Sequence, residues 1–88
     1  MGMPCVVNSI LKLSPDQGYP AQLRIGDRHT AAKSGYRIIP MDVPVPLVDE
    51  RWVAYADVVI TTLTWEQQQT MMTYRVHRLY PEPFVAKA

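Results

Sequence analysis

Three side chains in this sequence have the chemistry of nucleophiles or zinc ligands: the single cysteine, Cys5, and the two histidines, His29 and His77. A cysteine nucleophile needs a neighbouring base that lowers the pKa of its thiol, and the sequence places neither histidine beside Cys5. A zinc site needs about four ligands at characteristic spacings, and these three are too few and too scattered. We therefore interpret Cys5 as a buried strand residue, prefer this to a thiol enzyme, and expect no metal ion and no cofactor.

Asp57 is the acidic residue in the most unusual position, because it lies inside the apolar run Trp52–Trp65. A carboxylate among apolar neighbours costs free energy unless it is paired or hydrogen-bonded. Arg75 or Arg78 on the next strand could supply that partner, and we prefer this structural pair to a catalytic acid. The four glycines also lack the spacing of a phosphate-cradling loop. These observations predict that the protein is not an enzyme.

The segment Gly26–Arg37, "GDRHTAAKSGYR", interleaves basic side chains with an aromatic ring. Basic groups contact phosphates and a tyrosine ring can stack on a base. The candidate binding residues are Arg28, His29, Lys33, Tyr36 and Arg37. A net charge of +1 gives no bulk attraction to nucleic acid, so such binding has to come from this cluster. The segment is predicted to be an exposed loop, with at most a helical turn through Ala31 and Ala32, that contacts RNA or another anionic partner. The alternative is an ordinary solvated loop.

A second candidate surface is the proline-rich segment Pro40–Leu47, "PMDVPVPL". Each proline lacks the N–H that a strand ladder needs, so the segment is predicted to run extended along a sheet edge. The side chains expected to pack inward are those of Met41, Val43, Val45 and Leu47. The same apolar side chains could instead dock a partner, which makes a protein-interaction or homodimerisation module the alternative function.

These candidates must be positioned by strands, because apolar residues alternate with a period of two along most of the chain. The predicted strands are Cys5–Leu13, Ala21–Ile25, Tyr36–Ile39, Trp52–Trp65 and Met71–Tyr80. The last two are predicted to form a hairpin, and the sequence "EQQQ" between them does not specify the turn type. A single helical turn is expected at Ser14–Asp16, ended by Gly18 and Pro20.

The predicted fold is all-β: one domain over residues 1–88, in the form of a small, partly closed, Greek-key-like barrel of about five or six strands with at most one short helical turn. Closure would protect the strand edges. Pro81 and Pro83 are expected to end the fold and leave residues 81–88 as a flexible tail. With one cysteine, no signal segment and no long apolar run, the protein is expected to be cytoplasmic and not bound to a membrane.

Nearly the whole chain resembles a family of short bacterial proteins of unknown function. The residues that carry the resemblance are the opening "MGMP", the centre "KSGYRIIPMDVP" and the closing "ADVVITTLTW" with the threonine-rich strand that follows. The resemblance implies no activity.

A second, local resemblance covers Gly26–Arg37. The segment is similar to one in the third domain of bacterial elongation factor Tu, which reads Gly-Gly-Arg-His-Thr, three further residues, then Ser-Gly-Tyr-Arg. The agreement breaks at Ala31–Lys33 and after Arg37. That domain is a small Greek-key β-barrel that helps to hold aminoacyl-tRNA, so the resemblance implies a barrel and points towards RNA.

Overall fold

The computed structural model describes residues 5–86, with side chains from Asn8 onward, and almost all of its regular structure is β-strand. Within that range the elements are β1 (Cys5–Val7), β2 (Leu11–Lys12), a 3-10 turn (Pro15–Gln17), β3 (Arg28–Ser34), β4 (Tyr36–Ile38), β5 (Pro44–Val48), β6 (Val53–Glu66) and β7 (Gln69–Val85). The all-β prediction is confirmed, and so is the short helical turn before Gly18. The side chain of Cys5 lies outside the described part, so its predicted burial stays a prediction.

Five of these strands form one mixed sheet in the order β2–β5–β6–β7–β3. Strands β5, β6 and β7 run antiparallel in succession, β3 is antiparallel to β7, and β2 is parallel to β5. The sheet stays open, which corrects the partly closed barrel. The edge strand β2 is short: Leu11 and Lys12 pair with β5, and the Leu13 N–H donates to the Val48 carbonyl at 3.1 Å. Pro44 and Pro46 give the rest of β5 no amide for a further strand.

Strands β1 and β4 form a separate parallel ladder, with Cys5 opposite Tyr36 and Val7 opposite Ile38. β1 leads into the edge strand β2, and β4 follows the edge strand β3. The ladder therefore ties together the two chain segments that leave opposite edges of the sheet.

The β6–β7 hairpin turns through Gln67 and Gln68, whose φ angles are 51° and 60°. Two successive positive φ angles characterise the two-residue type I′ turn, which favours Asn and Gly over glutamine. Two hydrogen bonds with Gly35 and Tyr36 support this turn. The Gly35 N–H donates to the Gln68 carbonyl at 2.7 Å, and the Gln68 N–H donates to the Tyr36 hydroxyl at 3.0 Å.

Strand β7 continues beyond the point where the sequence predicted the fold to end. Phe84 and Val85 pair with Ala54 and Val53 of β6, so residues 81–85 belong to the sheet, while residues 87 and 88 lie outside the described range. Prolines are tolerated at a sheet edge. Within the described residues, β3 pairs with β7 up to Arg75, and Gly26 and Asp27 extend the hydrogen bonds to Val76. Pro81 and Pro83 lie beyond this point, where β7 is such an edge.

The core lies on one face of the sheet. Its fully buried side chains include Tyr74 from β7, Ile60 from β6 and Leu47 from β5. The Tyr74 hydroxyl donates to the Gly18 carbonyl at 2.9 Å, and burial raises the pKa of this tyrosine. Gly18 has φ +113°, and a Cβ there would lie 2.3 Å from the Thr30 carbonyl oxygen. Only glycine can therefore fasten the 3-10 turn against β3.

The segment Gly26–Arg37 is not the loop that the sequence predicted. Seven of its residues form β3, hydrogen-bonded along β7, because the long ladder outweighs the helix propensity of Ala31 and Ala32. By contrast Ala21–Ile25, predicted as a strand, has an irregular backbone.

The proline-rich segment Pro40–Leu47 has two parts, because its second part belongs to β5, which lies inside the sheet for part of its length. Val45 and Leu47 are buried in the core as predicted, whereas Met41 and Val43 are 40% and 46% exposed. The predicted inward packing of Met41 and Val43 is therefore wrong, because both precede the strand that carries the segment into the core.

Candidate functional site

The five binding residues predicted from the sequence do not form one surface. Arg28 is exposed at the start of β3, opposite Arg75. His29 is half-buried beside Tyr74, with ring centroids 5.7 Å apart. The Tyr36 hydroxyl is engaged by the hairpin turn. Only Lys33 and Arg37 come together, and they do so in a cleft with residues that the sequence did not single out.

We call this cleft the basic cleft; its volume is about 340 Å³. The residues that line it are Asn8, Ser9, Ile10, Lys12, Lys33, Arg37 and Trp52. One wall is the segment between β1 and β2, the opposite wall comes from the end of β3 and from β4, and Trp52 enters from the turn before β6. Three cations and one aromatic ring therefore meet at the place where the two edges of the sheet approach each other.

Lys33 is the most enclosed of the three cations. Alternation along β3 turns its side chain inward, so that the residue is 9% exposed, and its Nζ donates to the backbone carbonyl of Lys12. Burial, and after it the charges of Arg37 and Lys12, lower the pKa of Lys33 to about 8. The ammonium is therefore destabilised by its surroundings, as expected where like charges share a partly dry site.

Arg37 is held by its backbone rather than by its charge. Its N–H donates to the Thr70 hydroxyl at 2.9 Å, that hydroxyl donates to the Gly35 carbonyl at 2.8 Å, and the Trp65 indole donates to the Arg37 carbonyl at 2.8 Å. The guanidinium Nε donates to the Ser34 carbonyl at 3.0 Å. An arginine has five N–H donors, so donors remain for a ligand.

Trp52 and Lys12 form the aromatic side of the cleft. The Lys12 Nζ lies 4.4 Å from the centre of the Trp52 ring, within the range of a cation–π contact. Trp52 has φ 65°, which is rare for a bulky residue and costs about 1–3 kcal/mol. The chain accepts this strained conformation at the residue that supplies the ring of the cleft.

No acidic side chain lines the basic cleft among the described residues. The ion pairs of the described residues, Arg51 with Asp49 and Arg78 with Asp57, lie elsewhere. Lys12, Lys33 and Arg37 thus concentrate positive charge without an internal counterion. Such a cleft can bind an anion, because a ligand carboxylate or phosphate would supply the missing negative charge.

The pair predicted at Asp57 is present. Its Oδ2 lies 3.6 Å from the Arg78 Nε, and its Oδ1 accepts a hydrogen bond from the Tyr80 hydroxyl. Burial and then the hydrogen bond to Asp57 raise the pKa of Tyr80 to about 12. The carboxylate has its partners within the chain, as a structural role requires.

Among the described side chains, from residue 8 to residue 86, no three of His, Cys, Asp or Glu come together as a metal site would require. No helix in the same range is long and apolar enough to cross a membrane.

Sequence reasoning missed Lys12, Trp52, Asn8 and Thr70. Lys12 lies within the predicted strand Cys5–Leu13, Trp52 begins the apolar run Trp52–Trp65, and neither position by itself indicates a binding site. These residues share no sequence pattern. Their cationic, aromatic, amide and hydroxyl side chains are only of the kinds that bind anions and rings. Only the sheet order brings them to one place.

Comparison with known proteins places the chain without assigning it an activity. Residues 1–81 match the protein family described as "Domain of unknown function (DUF2584)". No curated protein matches. The X-ray crystal structure of protein ytmB from Bacillus subtilis is similar, with a TM-score of 0.75 and 25% sequence identity over 91% of this chain and 95% of that one.

Proposed function

The chain belongs to the DUF2584 family, whose description states no function, and we propose from the basic cleft that it is a binding protein for a phosphate-bearing ligand. The observation that carries the proposal is the convergence of Lys12, Lys33 and Arg37 on one cleft that no carboxylate of the described residues lines. Gathering three like charges costs free energy, and a bound dianion would offset that cost.

Phosphate fits the donor set better than a smaller anion does. A guanidinium offers parallel N–H groups that match two phosphate oxygens, and an ammonium acts as a compact point charge. A volume of about 340 Å³ lies at the lower end of the range of ligand sites, so the cleft suits one phosphate group and an attached moiety beside the Trp52 ring.

The phosphate could belong to a small phosphoester or to RNA. The similarity of Gly26–Arg37 to a segment of elongation factor Tu favours RNA. However, Arg28 and Tyr36, which the sequence assigned to that interface, lie outside the cleft. A cleft of this size would hold a single nucleotide of an RNA chain.

The interaction module on Pro40–Leu47 has less support. Two of its four apolar side chains, Val45 and Leu47, are buried in the core, which leaves Met41 and Val43 for a partner.

The test is calorimetric titration with inorganic phosphate, a nucleoside monophosphate and a short single-stranded RNA, each at low and high salt. We expect binding that weakens with salt and that Arg37→Gln reduces at least tenfold. Arg28→Gln is the matched control, because it removes the same charge outside the cleft. Binding that ignores salt, equal losses in the two variants, or no binding of any of the three probes would refute the proposal. Binding of RNA alone would identify the polymer as the source of the phosphate.

A further inference from the structure

We propose that Lys33 is a nucleophilic amine that forms an imine with a small aldehyde or ketone whose anionic group is held by Arg37 in the basic cleft. The inference rests on the function proposed above, because the same cations that hold a phosphate would anchor the carbonyl compound. It adds a covalent step and a chemical class of ligand.

The position of the Lys33 amine is the first support. The side chain is almost completely enclosed, yet it lines the cleft that Lys12, Arg37 and Trp52 also line. Its Nζ is tethered to the Lys12 carbonyl, which uses one N–H and leaves the lone pair of the neutral amine free. A molecule bound by Arg37 therefore occupies the same cleft as a fixed amine.

The charge state of Lys33 is the second support. A lysine reacts with carbonyl groups only as the neutral amine, and desolvation together with adjacent cations favours that form. With the pKa of Lys33 lowered to about 8, roughly a tenth of the side chains are neutral at pH 7. An ordinary lysine has far less neutral amine at that pH.

The step needs no oxidant and no cofactor. The lone pair of Nζ attacks the carbonyl carbon, and a proton passes from nitrogen to the former carbonyl oxygen, which gives a carbinolamine. Loss of that hydroxyl and of the remaining N–H proton as water leaves the C=N bond of the imine. The carboxylate or phosphate of the ligand stays paired with Arg37 throughout.

The experiment uses the full chain, with glyoxylate as an anionic aldehyde, acetaldehyde as a neutral one, and cyanoborohydride to trap any imine. The chain has three lysines, Lys12, Lys33 and Lys87, so peptide mapping by mass spectrometry compares the candidate with two internal references. We expect glyoxylate to label Lys33 at least tenfold faster than the other two lysines. Acetaldehyde is expected to show no such preference.

Two variants keep the test decisive. Arg37→Gln should abolish the preference of Lys33 for glyoxylate. Lys33→Arg, which retains the positive charge and can still donate to the Lys12 carbonyl, should remove the fast site while circular dichroism shows a folded chain. Labelling of Lys33 no faster than that of Lys12, or equal labelling in Arg37→Gln, overturns the inference.

The failures of the two proposals are distinguishable. Salt-dependent phosphate binding without selective labelling leaves the binding function in place and removes the imine. Rapid labelling of Lys33 by both aldehydes, without phosphate binding, shows a reactive lysine that lacks an anion site and so refutes both proposals.

Discussion

Two charged regions of this small protein differ in whether their partly buried charges have partners of opposite charge. At the first, which we call the Asp57 cluster, the carboxylate of Asp57 is matched by Arg78 and by the hydroxyl of Tyr80. At the basic cleft, Lys12, Lys33 and Arg37 face one another without a carboxylate from the described residues. Charge in the Asp57 cluster therefore stabilises the fold, whereas the uncompensated charge in the basic cleft destabilises it, as expected for the anion site that we propose.

The largest effect is expected from a neutral residue that holds the wall of the cleft. Thr70→Val removes a fully buried hydroxyl that accepts from the Arg37 N–H and donates to the Gly35 carbonyl. A stranded buried backbone group costs about 1–3 kcal/mol, and because Gly35 is exposed water can replace the hydroxyl at its carbonyl. We therefore expect the free energy of unfolding in urea to fall by about 2 kcal/mol. Thr64→Val, at an exposed position of β6, is the control. A loss no larger than that of the control would show that charge, not Thr70, holds this wall.

The next effect tests the Asp57 cluster. Asp57→Asn keeps the shape of the side chain but removes its charge, which weakens the contacts with Arg78 and Tyr80. Arg78 is largely exposed, so its part is small, and we expect a loss of about 1–2 kcal/mol in the free energy of unfolding. Glu82→Gln at an exposed site controls for the change of net charge. Equal behaviour of the two variants would contradict a stabilising role for Asp57.

The third effect is the pH dependence that Lys33 confers. Its pKa is about 8 in the folded protein and about 10.4 in an unfolded chain, so between these values the unfolded chain binds more protons and stability rises with pH. Relative to Lys33→Met, we expect the wild type to gain about 1 kcal/mol from pH 8 to pH 9. The slope cannot exceed about 1.4 kcal/mol per pH unit.

Urea unfolding at several pH values measures this difference. The range must end near pH 10, because burial, followed by the charge of Asp49, raises the pKa of Tyr19 to about 12. Tyrosines with raised pKa values make stability fall above pH 10, when the unfolded chain loses its phenolic protons first. Parallel curves for the wild type and Lys33→Met would show that Lys33 keeps an ordinary pKa.

The smallest effect on stability is expected at Arg37, and it separates the basic cleft from the Asp57 cluster because no loss of stability is expected there. Arg37→Gln removes one cation from the basic cleft and, without phosphate, should leave the free energy of unfolding unchanged or raise it by up to about 0.5 kcal/mol. The same variant should lose the thermal stabilisation that we expect phosphate to give the wild type. Clear destabilisation by Arg37→Gln would mean that the guanidinium has a structural role, and the two regions would then not differ as we describe.

Much of the fold follows from local sequence. Alternation predicts β6 and β7 because both carry long runs of β-branched and aromatic residues, and a Ser-Pro pair before Gly18 predicts the 3-10 turn. The pairing of Asp57 with Arg78 is also predictable, because adjacent strands of a hairpin place these residues opposite each other.

The basic cleft could be predicted only in part. Lys33 and Arg37 share the Gly26–Arg37 segment, but Lys12 and Trp52 reach them through the order of strands in the sheet, which no local pattern encodes. The loop predicted at β3 failed for a related reason. Two alanines carry little β preference, and the strand forms because β7 offers a long ladder to pair with.

The parallel ladder between β1 and β4 has a consequence for how the protein folds. It joins segments that are far apart along the chain, and such pairings close a long loop and tend to form late. The meander of β5, β6 and β7 can assemble first from contacts between neighbours. Strands β2 and β3 also pair with partners far along the chain, so β1, β2 and β3 would join the meander late and bring Asn8 and Lys12 against Lys33 and Arg37. The proposed ligand site would thus form only in the late steps of folding and be lost when any of these strands detaches.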